Sequence, residues 1–107
     1  MAADDPDTFM ATVDDWVKQT KLGYFPPLEA LARLTEEVGE LAREINHTFG
    51  VKKKKLTEKE GEISGEMADI IFTVVCMANP LKIDLDKAFK KTMDKLNKRD
   101  EKRWEKK

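Results

Sequence analysis

Two acidic clusters sit where a helical sequence usually keeps its core. They are Glu36-Glu37-Val38-Gly39-Glu40 and Glu66-Met67-Ala68-Asp69, each inside an apolar segment of helical period. Acids are among the residue types least often buried, so this placement asks for a reason. The two segments also share a register. Leu34-Thr35-Glu36-Glu37-Val38-Gly39-Glu40-Leu41 aligns with Ile63-Ser64-Gly65-Glu66-Met67-Ala68-Asp69-Ile70, matching acids at Glu37/Glu66 and Glu40/Asp69. Residues three apart lie on one side of a helix, so each pair presents two carboxylates together. Two such helices side by side bring four carboxylates to one point. Like charges withdrawn from water cost several kcal/mol per ion unless they are compensated. A divalent cation compensates them, and an oxygen-only set without His or Cys suits the hard ions Mg²⁺ and Mn²⁺. Salt bridges to Arg33 or Arg43 are the competing remedy. In a chain with 21 acids, a plain solvated face is the third reading.

The elements around the acids decide whether they can meet. At about 100° per residue, Glu37 lies about 60° and Glu40 about 120° from the centre of a stripe of Leu34, Val38, Leu41 and Ile45. Glu66 and Asp69 fall at the same offsets from Ile63, Met67, Ile70 and Val74. Antiparallel packing through these stripes puts both pairs on comparable flanks. The segment after Ile70 is apolar nearly all round, which marks a central helix and predicts that Glu66 and Asp69 are partly buried. Gly39 and Ala68, between the paired acids, leave room for close approach.

Helical signals run through the whole chain, with no period-two alternation and no hairpin dipeptide. Asp5 or Asp7 is placed to cap a first helix from about Thr8 to Thr20, with Phe9, Val13, Trp16 and Val17 on its apolar face. Leu22-Gly23-Tyr24-Phe25-Pro26-Pro27 breaks it. Pro27 suits the first turn of a second helix, which runs to about Thr48 with Gly50 just beyond. Lys52 to Lys55 form a basic loop. Thr57 with Glu60 makes a capping box for a third helix at about 58–78, and Asn79-Pro80 ends it. Asp84 caps a fourth, reaching at least Leu96, with a stripe of Leu85, Ala88, Phe89, Thr92, Met93 and Leu96. The expected fold is therefore all-α, a four-helix single domain over residues 1–107, with a core of about 8–97 and a charged tail at 98–107.

Composition narrows the class. A chain of 107 residues has little margin for a core, so a partner subunit would help to bury apolar surface. Charged residues make up 38%, yet the formal net charge is only -1, which argues against a nucleic-acid binder. The single cysteine, Cys76, excludes an intramolecular disulfide and fits a reducing compartment and an inert core thiol. No secretory signal pattern opens the chain. The longest apolar stretch, Ile70 to Ala78, falls short of the roughly 20 residues that span a bilayer. The expectation is a cytoplasmic protein without a membrane partner.

Taken together, Glu36-Glu37-Val38-Gly39-Glu40 and, twenty-five residues later, Glu66-Met67-Ala68-Asp69 resemble the EExxE…ExxD signature of the MazG-like nucleotide pyrophosphohydrolases. The Leu34-Thr35 lead-in, Leu41-Ala42-Arg43-Glu44 and Ile70-Ile71 match as well, and the resemblance covers roughly residues 9 to 104. It implies an all-α fold that assembles as a homodimer or homotetramer. The implied activity is Mg²⁺-dependent cleavage of a nucleoside triphosphate to the monophosphate and pyrophosphate, with Mn²⁺ able to substitute. Carried over, Glu37, Glu40, Glu66 and Asp69 are the expected metal ligands, and Glu36 supports them or orients the water.

A triphosphate also needs cationic contacts. Lys54 and Lys55 in the basic loop, and Lys95, Arg99 and Arg103 at four-residue spacing on the fourth helix, are candidates, beside the alternative of solvated surfaces. Trp16, Tyr24 and Phe25 could pack a base or ribose, and Thr73 could touch the sugar; core packing competes for the aromatics. Glu44-Ile45-Asn46-His47 reads as the Glu-x-x-His unit of di-iron bundles, which need two such units. That bundle, and a non-catalytic helical interaction module, are the alternatives to an enzyme.

Overall fold

The computed structural model describes residues 8–50 and 63–100. Its elements are four helices: α1 (Phe9–Lys18), α2 (Pro27–Phe49), α3 (Ile63–Ala78) and α4 (Leu85–Asp100). No strand occurs among the described residues, so the fold is all-α.

Local chemistry sets most of the boundaries. The Thr8 hydroxyl accepts from the Ala11 N–H at 3.1 Å and caps α1. The cap is therefore Thr8, with Asp5 and Asp7 outside the described residues. Pro27 opens α2, where its missing N–H is not needed. Gly50 closes α2 by donating its N–H to the Asn46 carbonyl at 2.8 Å. Its φ of -81° is one any residue adopts, but a Cβ there would stand 2.5 Å from the Asn46 oxygen. Close approach, not a left-handed turn, is the reason for glycine. The Thr57–Glu60 box and the loop Lys52 to Lys55 lie outside the described residues. Asp84 caps α4 as expected, accepting from the Lys87 N–H at 3.1 Å.

Helix α3 is central, packed against both α1 and α2. The core joins Met10, Val13 and Val17 of α1 to Val75 and Ala78 of α3, with Tyr24, Cys76 and Leu85 packed against it. Spacing of three and four along α1 puts Met10, Val13 and Val17 on one stripe. The expected face is thus rotated: Phe9 and Trp16 are 67% and 55% exposed. A hydrogen-bonded clasp ties the ends together. Asn79, just past α3, donates from Nδ2 to the Met10 carbonyl at 3.0 Å and to the Tyr24 hydroxyl at 2.8 Å.

The expected buried stripe on α4 is not buried within the chain. No residue of α4 is buried, and Phe89 is 67% exposed. Leu85 reaches the core, but beyond it the helix meets too little of the described residues to cover its amphipathic face. Leu28, Val38 and Phe49 of α2 are exposed in the same way. No helix among the described residues is long and apolar enough to cross a membrane.

Candidate active site

Three of the four expected ligands converge. Glu37 of α2 and Glu66 and Asp69 of α3 each offer a carboxylate oxygen, and these oxygens lie within 4.8 Å of one another. Glu37 and Glu66 are half-buried and Asp69 is exposed, so the expected partial burial holds for Glu66 but not for Asp69. Burial raises the Glu66 carboxyl above its ordinary range, and the charges of Asp69, Glu40, Glu37 and Glu44 raise it further. This is the electrostatic signature of acids held together without full compensation.

Glu40 lies outside the close group, although its charge still acts on Glu66. Glu36 is exposed. Gly39 does not serve close packing within the chain, because nothing lies within 4 Å of where its Cβ would stand. Glu44 is the residue that the motif reading passed over. It is 8% exposed and its charge reaches Glu66. Its signal was available: Glu44 follows Glu37 by seven residues, two helical turns on the same face. His47, three residues further on, is half-buried and is not a member of the close group.

A cavity of about 250 Å³ adjoins the acids. Trp16 and Val17 of α1, with Thr20 and Leu22 to Phe25 of the connection after it, form one wall. Ala30 and Arg33 of α2 and Phe72, Thr73 and Cys76 of α3 form the other. Trp16 meets Phe72 edge to face, with ring centroids 5.5 Å apart at 80°. This explains why Trp16 is not a core residue: it stands at a cavity mouth. Thr73 is buried and donates its hydroxyl hydrogen to the Asp69 carbonyl at 2.8 Å. Burial raises the Cys76 thiol, which keeps it protonated and unreactive.

The cavity and the acids share a seam. Arg33 faces the level of Thr73 and Cys76, while Glu37 faces Glu66 and Asp69, so α2 and α3 run antiparallel. On both helices the cavity residue is four residues, about 6 Å along the axis, from the acid: Arg33 from Glu37 and Thr73 from Asp69. Arg33 Nε stands 3.7 Å from Glu37 Oε1. On α4, Lys95 is exposed and Arg99 is held by Asp100, from Nε and Nη2 at 2.9 Å each. Lys54, Lys55 and Arg103 lie outside the described residues.

Comparison with known proteins identifies the family. The MazG nucleotide pyrophosphohydrolase domain matches residues 25–104. The uncharacterized protein YpjD of Bacillus subtilis (strain 168) is 50% identical over 97 residues, covering 91% of this chain and 87% of YpjD. The crystal structure of Bacillus subtilis YpjD superposes with a TM-score of 0.73 over 82% of this chain and 90% of that one. The crystal structure of the Bacillus-conserved MazG protein, a nucleotide pyrophosphohydrolase, is 43% identical. It gives a TM-score of 0.73 over 91% of this chain and 94% of that one. This chain belongs to the MazG nucleotide pyrophosphohydrolase family. It is accordingly a hydrolase, which sets aside the non-catalytic module.

Proposed function

We propose that this protein is a Mg²⁺-dependent nucleoside triphosphate pyrophosphohydrolase. It cleaves the α–β phosphoanhydride and releases the monophosphate and pyrophosphate, as nucleotide-pool housekeeping in the cytoplasm. One observation carries the reading: three carboxylate oxygens within 4.8 Å, one helical turn along both helices from a base-sized cavity. Oxygen donors alone, with a carboxyl already raised by its neighbours, fit a hard divalent cation.

Glu37, Glu66 and Asp69 hold the cation, with Glu40 completing the set from its edge. Bound Mg²⁺ neutralises the triphosphate and lowers the pKa of a coordinated water. Glu37 also faces the reacting phosphate, and Glu36 beside it supports the cluster or orients the water. The cavity lined by Trp16, Phe72 and Tyr24 takes the base, and its apolar wall excludes water from it. Lys95, Arg99, Lys54 and Lys55 are the proposed outer phosphate contacts. A homodimer or homotetramer is supported by the exposed apolar faces of α2 and α4.

The test is a screen of canonical and modified nucleoside triphosphates with Mg²⁺ or Mn²⁺, scoring pyrophosphate against orthophosphate. Pyrophosphate with a monophosphate is the expected result. Orthophosphate alone would overturn the reading.

A further inference from the structure

Among the described residues Arg33 is the one charged residue lining the cavity, and it also touches the acidic cluster through Glu37. Its hold on Glu37 is weak. The 3.7 Å separation is too long for a hydrogen bond, and the guanidinium side chain is 59% exposed. Arginine four residues before an acid is also the less favourable order along a helix. An ion pair of this kind contributes little to stability. The guanidinium is therefore not committed to Glu37, and among the described residues Arg33 makes no hydrogen bond. Its charge is felt by Cys76 on the far wall, which places it over the cavity as well as the acids.

We propose that Arg33 is a phosphate-binding residue that grips the substrate where the nucleoside meets its triphosphate, at the α-phosphate. This rests on the pyrophosphohydrolase reading of the site. With the base in the cavity that Trp16 and Phe72 help to line and the scissile α–β bond at the carboxylates, the α-phosphate falls between cavity and cluster. Arg33 occupies that interval on α2. Once Glu37 turns its oxygens to a cation, the guanidinium is left with donors aimed at the gap. Its planar fork suits two phosphate oxygens, which an ammonium does not match. The Arg33–Glu37 pair is then a resting contact exchanged when substrate enters.

Arg33→Ala and Arg33→Lys in the full chain test this by calorimetry, with circular dichroism to confirm folding. The probes are Mg²⁺ alone, Mg²⁺ with pyrophosphate, and Mg²⁺ with the α,β-methylene analogue of a hydrolysed nucleoside triphosphate. Loss of a charged hydrogen bond predicts about tenfold to hundredfold weaker analogue binding in Arg33→Ala, partly restored by Arg33→Lys. Affinity for Mg²⁺ alone and for Mg²⁺ with pyrophosphate should not fall. Wild-type analogue affinity in Arg33→Ala would overturn the proposal, and so would an equal loss for pyrophosphate or for Mg²⁺ alone. A wild-type protein that hydrolyses triphosphates while Arg33→Ala behaves identically sinks only this inference. A wild type that binds no analogue with Mg²⁺ sinks the proposed function itself.

Discussion

Tyr24 donates its phenolic hydrogen to Asp14 Oδ1 at 2.7 Å, fastening the connection after α1 back onto α1. The same hydroxyl accepts from Asn79 Nδ2 at 2.8 Å, which links both to the end of α3. Tyr24→Phe keeps the ring and removes both bonds. The expected cost is about 1–2 kcal/mol, the scale for a partly buried hydrogen bond with a charged partner. Urea unfolding of the variant measures it. Because Tyr24 also lines the cavity, KM for the nucleotide should rise more than kcat falls.

The clasp also predicts an alkaline signature. Burial first, then the bond to Asp14, pushes the Tyr24 phenol up from 10.0 to about 12. A group raised on folding stabilises fully below its unfolded value and loses that contribution as pH climbs through its folded value. Wild-type stability should therefore fall between pH 10.0 and about 12 by a component absent from Tyr24→Phe. Asp14 works in the opposite sense. Tyr24 and then Lys18 hold its carboxyl low, so its contribution is present above 3.8 and lost in acid. Parallel pH-stability profiles of the two proteins check both signs.

At Glu66 the sign concerns the metal. Burial and the neighbouring acids raise its carboxyl, so the folded, metal-free protein holds that proton more tightly than the unfolded chain does. Its stability without Mg²⁺ should rise as pH falls toward the ordinary glutamate value of 4.5. Affinity for Mg²⁺ should fall over the same interval, because proton and cation compete for the same oxygens. Glu66→Gln should stabilise the metal-free protein at neutral pH and bind Mg²⁺ more weakly. Thermal melts with and without Mg²⁺ across pH separate the two effects.

Ligand roles rank by geometry. Mg²⁺ at a hundred times its Kd should stabilise the wild type by about 2.7 kcal/mol. Glu37→Gln and Asp69→Asn should abolish that shift and lower kcat/KM on the order of a hundredfold or more. Glu40→Gln should cost less, since Glu40 lies outside the 4.8 Å group. Equal losses at Glu37 and Glu40 would mean that the four carboxylates act as one set.

Exposed apolar surface predicts assembly. Phe89 of α4 is 67% exposed in a helix with no buried residue. Phe89→Asp should shift the protein toward the monomer and lower its Tm, as read by light scattering after size exclusion and by thermal melting. An unchanged mass would place the interface elsewhere.

Helix punctuation was readable in the sequence because it is local. Pro27, Gly50, Asp84 and Asn79 act within a few residues of themselves, and each marks a boundary in the structure. The pairing of Glu37 with Glu66 and Asp69 was readable from the matched register of the two segments, but the expected stripes are not what packs: Val38, Ile45 and Met67 are exposed, and Ala30, Glu44 and Thr73 are buried instead. What failed depends on neighbours distant in sequence. Periodicity on α1 pointed to a face with Phe9 and Trp16, whereas contact with α3 buries Met10 beside Val13 and Val17. Amphipathicity on α4 says that Phe89 suits an apolar partner, not that this chain supplies one. Arg33 was legible as an ion-pair partner of the acids; its place on the cavity wall needed the cavity.

Helix α1 builds one wall of the cavity yet gives no carboxylate to the cluster, and it precedes residue 25, where the family match begins. One cavity wall is therefore separable in the chain from the acidic cluster, while the other shares α2 and α3 with it. A graft of another α1 through Phe25, with its clasp partners Asp14 and Tyr24 retained, would re-shape what is accepted without rewriting how it is cut. The leading helix can thus change the shape of one wall while the α2–α3 pair stays as it is.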